Sequence, residues 1–155
     1  MSERNAERIE RRLPEQDRIE NKIARFSFLG VSAINRNDVG RARQYFMQAA
    51  ELDSGDAFAL NNMGYLSEVD GDHETADLYY QKARTAERSG EHVTVATRRD
   101  AVGMKLEHLA QDSDKKVNAV IDSEREAKRR RQGPIQLKRR DNTPVREPGP
   151  GTSAQ

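Results

Sequence analysis

Through the middle of the chain, small and apolar residues return every three or four positions, the spacing of one face of a helix. Leu60, Met63, Gly64 and Ser67 form one such stripe, and Ala76, Tyr80 and Ala83 form the next. Asp70-Gly71-Asp72 lies between them and reads as a turn, with Asp72 placed to cap the second helix. Asn37-Asp38 holds the same place between two earlier stripes. A helix from about Glu15 through Lys22 leads into the first of these, set off by Pro14 from a charged opening stretch, residues 1–14.

The pattern repeats. A shift of 34 residues lays Gly30 on Gly64, Asp38 on Asp72, Ala42 on Ala76, Tyr45 on Tyr79 and Ala49 on Ala83. Leu29 on Met63 and Phe46 on Tyr80 are conservative pairs. The two units are residues 23–56 and 57–90, each a pair of helices. Gly30 and Gly64 fall mid-helix, where Gly costs about 1 kcal/mol relative to Ala. That cost is tolerable where another helix backbone must approach closely, and Ala42 and Ala76 answer with small side chains from the second helix. Phe46 and Tyr80 are the large knobs expected to fill the space between stacked pairs.

On the residues Asn61-Asn62-Met63-Gly64, then Gly71-Asp72, Ala76, Tyr80 and Ala83, the chain resembles the tetratricopeptide repeat family. It departs from that pattern at Ala33 and Ser67, where an aromatic is usual, and at Ser54 and Arg88, where Pro is usual. The resemblance implies an all-α fold, a right-handed α-α superhelix of antiparallel helix pairs. It also implies a concave groove, lined by the first helix of each unit, that takes a protein or peptide partner. Carried over residue by residue, the groove positions are Ala24, Ser27, Val31 and Ile34 in the first unit. In the second they are Phe58, Asn61, Asn62, Tyr65 and Glu68. Asn62 is placed to hold a ligand's main chain, or else to bond the neighbouring backbone. Ser27 and Val31 stand where one branch of the family carries the Lys and Asn that grip a terminal carboxylate, so that mode of binding is not expected.

The register fails after Gly90. Val95, Val102, Leu106 and Leu109 fall on one face of a longer helix, and Asp112-Ser113-Asp114 reads as a turn before a second helix with Val117, Val120 and Ile121. Residues 91–131 are thus expected to be a capping pair that closes the helical domain, residues 15–131, and shows a charged outer face to water. Two units and a cap make a short groove, which leaves room for a partner or a second copy of the chain to complete it.

Composition fits a thin helical array better than a thick globule: hydrophobic and charged residues are each 34% of the chain. There is no Cys, which removes disulfides, thiolate metal sites and Cys nucleophiles together. His73, His92 and His108 are far apart in sequence, no glycine-rich phosphate loop appears, and no nucleophile sits in a strand-turn-helix setting. No enzyme activity, cofactor or metal is expected. No apolar run approaches the roughly 20 residues of a membrane span, and the Arg- and Glu-rich start lacks a signal-peptide core. A cytoplasmic protein is the plain reading.

Charge changes the picture at one place. The net +1 hides a segment, residues 125–140, with eight basic residues against one acidic, so the rest of the chain carries −6. Arg125, Lys128, Arg129, Arg130 and Arg131, then Lys138, Arg139 and Arg140, could neutralise the phosphates of a nucleic acid or an anionic lipid. No aromatic residue interleaves them to stack on bases. In this second reading the basic segment does the binding and the repeats are a spacer or dimerisation unit. Residues 132–155, rich in Pro and Gly, are expected to be a disordered basic tail.

Overall fold

A computed structural model describes residues 13–133 continuously, together with Glu3, Arg4, Glu7 and Pro144. The described residues form five α-helices: α1 (Glu15–Asn35), α2 (Val39–Leu52), α3 (Ala57–Val69), α4 (His73–Thr85) and α5 (Leu106–Gln132). A 3₁₀ turn, Arg99–Ala101, lies in the irregular stretch between α4 and α5. The chain divides into two compact units, Met1–Ile121 and Asp122–Gln155. The second contains the end of α5; the rest of the expected tail lies outside the described residues, Gly133 and Pro144 excepted.

The helices of the first unit form two hairpins, α1/α2 and α3/α4, with the same construction 34 residues apart. Asp38 accepts a hydrogen bond from the Arg41 amide at 3.0 Å and Asp72 one from the Thr75 amide at 3.1 Å, each satisfying a donor at a helix start that has no partner within the helix. The Asp38 amide donates to the Ala33 carbonyl, and the Asp72 amide to the Ser67 carbonyl, closing the turns alike. Asn37 and Gly71 occupy the same left-handed place, φ 61° and 77°. Asn tolerates that region through its short polar side chain and Gly through having none. α1 runs unbroken from Glu15, so the expected lead-in helix is simply its first turns; Pro14 stands just before it, where a missing amide costs nothing.

Each hairpin closes on one large ring. Phe46 and Tyr80 are almost wholly buried, and Ala42, Ala49, Ala76 and Ala83 around them are fully so. The mid-helix glycines meet these rings, rather than a helix backbone as expected. A Cβ at Gly30 would stand against Cε1 of Phe46, and one at Gly64 would lie 2.7 Å from Cε1 of Tyr80. Gly30→Ala therefore forces the ring from its seat. Overpacking of this kind costs about 1–3 kcal/mol, against roughly 1 kcal/mol recovered in helix propensity. A net loss of up to about 2 kcal/mol is expected in urea unfolding; a stabilised variant would show that the ring is free to move aside.

The expected capping pair is one helix and a loop. Val95 and Val102 lie in the irregular stretch, and Val102 is half exposed. Five β-branched residues between Val93 and Val102 disfavour helix there, and Gly103 turns the chain at φ 91°. Asp112-Ser113-Asp114 is no turn: α5 passes straight through it. Leu106, Leu109, Ala110, Val117 and Ile121 are one continuous buried stripe, and Asp114 takes the place in it between Ala110 and Val117. Val117 and Ile121 pack on Ala76 and Tyr80, while Ala110 packs with Leu60 and Ala83. The core of the second hairpin is thereby covered by a single helix.

Candidate functional site

The inner faces of α1 and α3 wall a cavity of about 390 Å³. From α1 it is lined by Ala24, Ser27 and Val31, with Ile23 behind them; from α3 come Phe58, Asn61, Asn62, Tyr65 and Glu68. Their spacing of three, four and seven is what brings them to one face. Ile34, expected with them, does not line the cavity and packs instead near Val31, Phe46 and Leu66.

Polar groups in this wall are fixed by one another. The Asn62 amide nitrogen donates to Oγ of Ser27 at 2.9 Å, joining α3 to α1 across the hairpins. Asn62 therefore bonds a side chain of the other hairpin and not its own backbone. The Tyr80 hydroxyl reaches from the core to Oε1 of Glu68 at 2.5 Å. Burial, and then that carboxylate, push the Tyr80 hydroxyl far above the usual phenol range. Burial also raises Tyr65, with Glu68 adding to the effect. Oδ1 of Asn61 is buried without a partner among the described residues, a feature that costs roughly 1–3 kcal/mol in a protein interior.

The opposite wall belongs to residues that sequence reasoning left out. Glu91 to Arg98 line the cavity one after another, joined by Ala101, Leu106, Leu109, Ser113 and Lys116. A signal was present: Val93-Thr94-Val95-Ala96-Thr97 is β-branched at four places, with its two Val residues two apart, a strand-like pattern. The stretch begins at Arg88, where the repeat pattern has Pro. Arg88 donates to Oδ2 of Asp56 at 2.8 Å and to Oε2 of Glu91 at 3.0 Å, and its guanidinium lies 5.1 Å from the centre of the Phe58 ring. Asp56 in turn caps α3, accepting from the amides of Phe58 and Ala59. Burial holds the Asp56 carboxyl above its ordinary value, while those amides and Arg88 oppose the shift.

A second buried acid sits where α4 meets α5. Asp114 approaches Asp77, Arg84 reaches it at 3.3 Å, and Nδ2 of Asn118 donates to Oδ1 of both acids, at 2.9 Å for Asp77 and 3.1 Å for Asp114. Burial and then Asp77 push Asp114 up to about 6, while the hydrogen bond from Asp114 lowers Asp77. The titration of one carboxyl therefore depends on the charge of the other.

In the second unit Arg125, Lys128, Arg129, Arg130 and Arg131 are all exposed, and Arg130 pairs with Glu126 one turn earlier. Lys138, Arg139 and Arg140 lie outside the described residues. Among the described residues no group of three acidic, His or Cys side chains is placed to hold a metal, and no helix is long and apolar enough to cross a membrane. No protein-family model, curated protein or solved structure matches the chain.

Proposed function

We propose that the chain is a tetratricopeptide-type scaffold that holds an extended peptide of another protein between α1 and α3 and does no chemistry itself. The supporting observation is convergence. Of the nine positions that the repeat pattern assigns to a groove, all but Ile34 line one cavity of about 390 Å³. That is within the range of roughly 300–1,000 Å³ usual for binding sites. Its wall also offers what a peptide main chain needs: the Asn62 amide held in place by Ser27 and the unpartnered acceptor of Asn61.

A second reading is favoured by the exposed Arg and Lys on the last turns of α5, which suit a nucleic acid or an anionic surface. One experiment weighs the two. Peptides selected from a random display library against the full chain are titrated with the wild type and with the Asn62→Ala, Tyr65→Ala variant. The groove reading expects binding to weaken at least tenfold, about 1.4 kcal/mol, with unchanged helical circular dichroism and little response to salt. Undiminished binding would overturn it. A short RNA titrated in parallel should bind only feebly; tight binding that falls steeply with salt would transfer the function to the basic segment.

A further inference from the structure

The cavity is walled on one side by the chain's own irregular segment, and this arrangement has a specific form. The stretch from Val93 to Gly103 leaves and returns through a pinned base. The Val93 amide donates to the Met104 carbonyl and the Gly103 amide to the Val93 carbonyl, both at 2.8 Å. The Leu106 amide bonds the Glu91 carbonyl, and His92 and Lys105 form an isolated antiparallel bridge. Beyond that base no amide from Thr94 to Arg98 donates to another backbone group among the described residues, and the Arg98 carbonyl accepts from the Ala101 amide at 3.3 Å. What holds the loop against α1 and α3 is side-chain packing. Val95, half-buried, seats against the cluster that contains Val31, Phe46 and Leu66, and Val93 seats nearer Ala57 and Leu109.

A loop that seats apolar side chains in a groove, with no backbone hydrogen bond to either helix beside it, lies as a bound peptide does. We infer that residues 93–98 are a strap that occupies the groove with a peptide of the chain's own. The external ligand is then a segment of the same kind, carrying β-branched apolar residues two positions apart, that takes the strap's place. The inference rests on the groove reading and adds the class of ligand and a device that regulates access. A firmly pinned base beside a weakly bonded tip is what lets such a strap swing aside without unfolding α5.

The test uses the full chain and a fluorescent synthetic peptide copying residues 90–99. Val95→Asp should release the strap, because its carboxylate cannot stay in the apolar seat. The peptide should bind that variant at least tenfold more tightly than the wild type, and a peptide itself carrying Val95→Asp should not bind. Val95→Ser, a milder release, keeps the experiment decisive if Val95→Asp loses its helical circular dichroism. Equal binding to wild type and variant, or none to the opened chain while library-selected peptides still bind through Asn62, overturns the strap and leaves the groove standing. If peptides of neither kind bind either chain, both readings fall.

Discussion

Arg88→Ala is expected to cost roughly 3–5 kcal/mol of stability, the usual result when one partner of a buried ion pair is removed. The Asp56 side chain is 1% exposed and has already lost its water, so without Arg88 its charge stands unpaired beside the start of α3. Glu91 and Phe58 lose their contact with the guanidinium in the same step, and Glu20, 3.7 Å away, loses a cation. Domains of this size are held by about 5–15 kcal/mol in all, so a large part of the folded margin goes. Urea unfolding at pH 7.5 measures the loss. The stringent comparison is Asp56→Asn with Arg88→Ala. Asn remains a good helix cap but carries no charge, so the pair of changes should cost less than Arg88→Ala alone. Simple additivity would show that the buried charge is not the cause.

The second large effect depends on pH. Asp114 has its folded pKa raised from 3.8 to about 6, so the stability it contributes is full below the unfolded value and is lost as pH rises through about 6. Asp77 is depressed, so its contribution is present above 3.8 and is lost as pH falls below that. The joint between α4 and α5 is therefore tightest near the ordinary carboxyl value, about pH 4. A tenfold difference in proton affinity between folded and unfolded chain is worth about 1.4 kcal/mol, so the wild type should lose roughly 1–2 kcal/mol between pH 5 and 7.5 from this site. Asp114→Asn fixes a neutral donor and acceptor in the same place. Its urea midpoint should change far less over that interval and exceed the wild-type midpoint at pH 7.5. An equal pH response in both chains would place the titration elsewhere.

The hairpins were legible because their signals are local. Asp38 and Asp72, Gly30 and Gly64, Phe46 and Tyr80 each sit at a fixed offset, and short-range sterics and capping tie residue type to place. The positions on α1 and α3 that line the cavity came from the family resemblance, and their helical spacing explains why they share a face. What lay beyond Gly90 depends on long-range partners. Asp114 looks like a turn residue until Arg84, Asp77 and Asn118 are placed around it, although its position in the stripe from Leu106 to Ile121 was visible. Val95 falls at helical spacing from Leu106 and Leu109, yet the β-branched run from Val93 to Thr97 argued for extended chain. The strap was hidden because its seat is built by α1 and α3, some 60 residues earlier in the chain than Val95 in the case of Val31.

One pair of positions changes together between the hairpins. The place that holds Ile34 beside Phe46 in the first holds Glu68 bonded to Tyr80 in the second. A single phenolic oxygen in the core thus keeps an acid in the cavity wall, and its absence lets the corresponding position turn inward as an aliphatic. The first hairpin thus offers the cavity Ala24, Ser27 and Val31 and no acid, while the second adds the carboxyl of Glu68. On the proposed peptide-binding reading such a wall would have a polarity of its own: a peptide and its reversed sequence would be different ligands, and only one direction of travel would put a basic residue opposite Glu68.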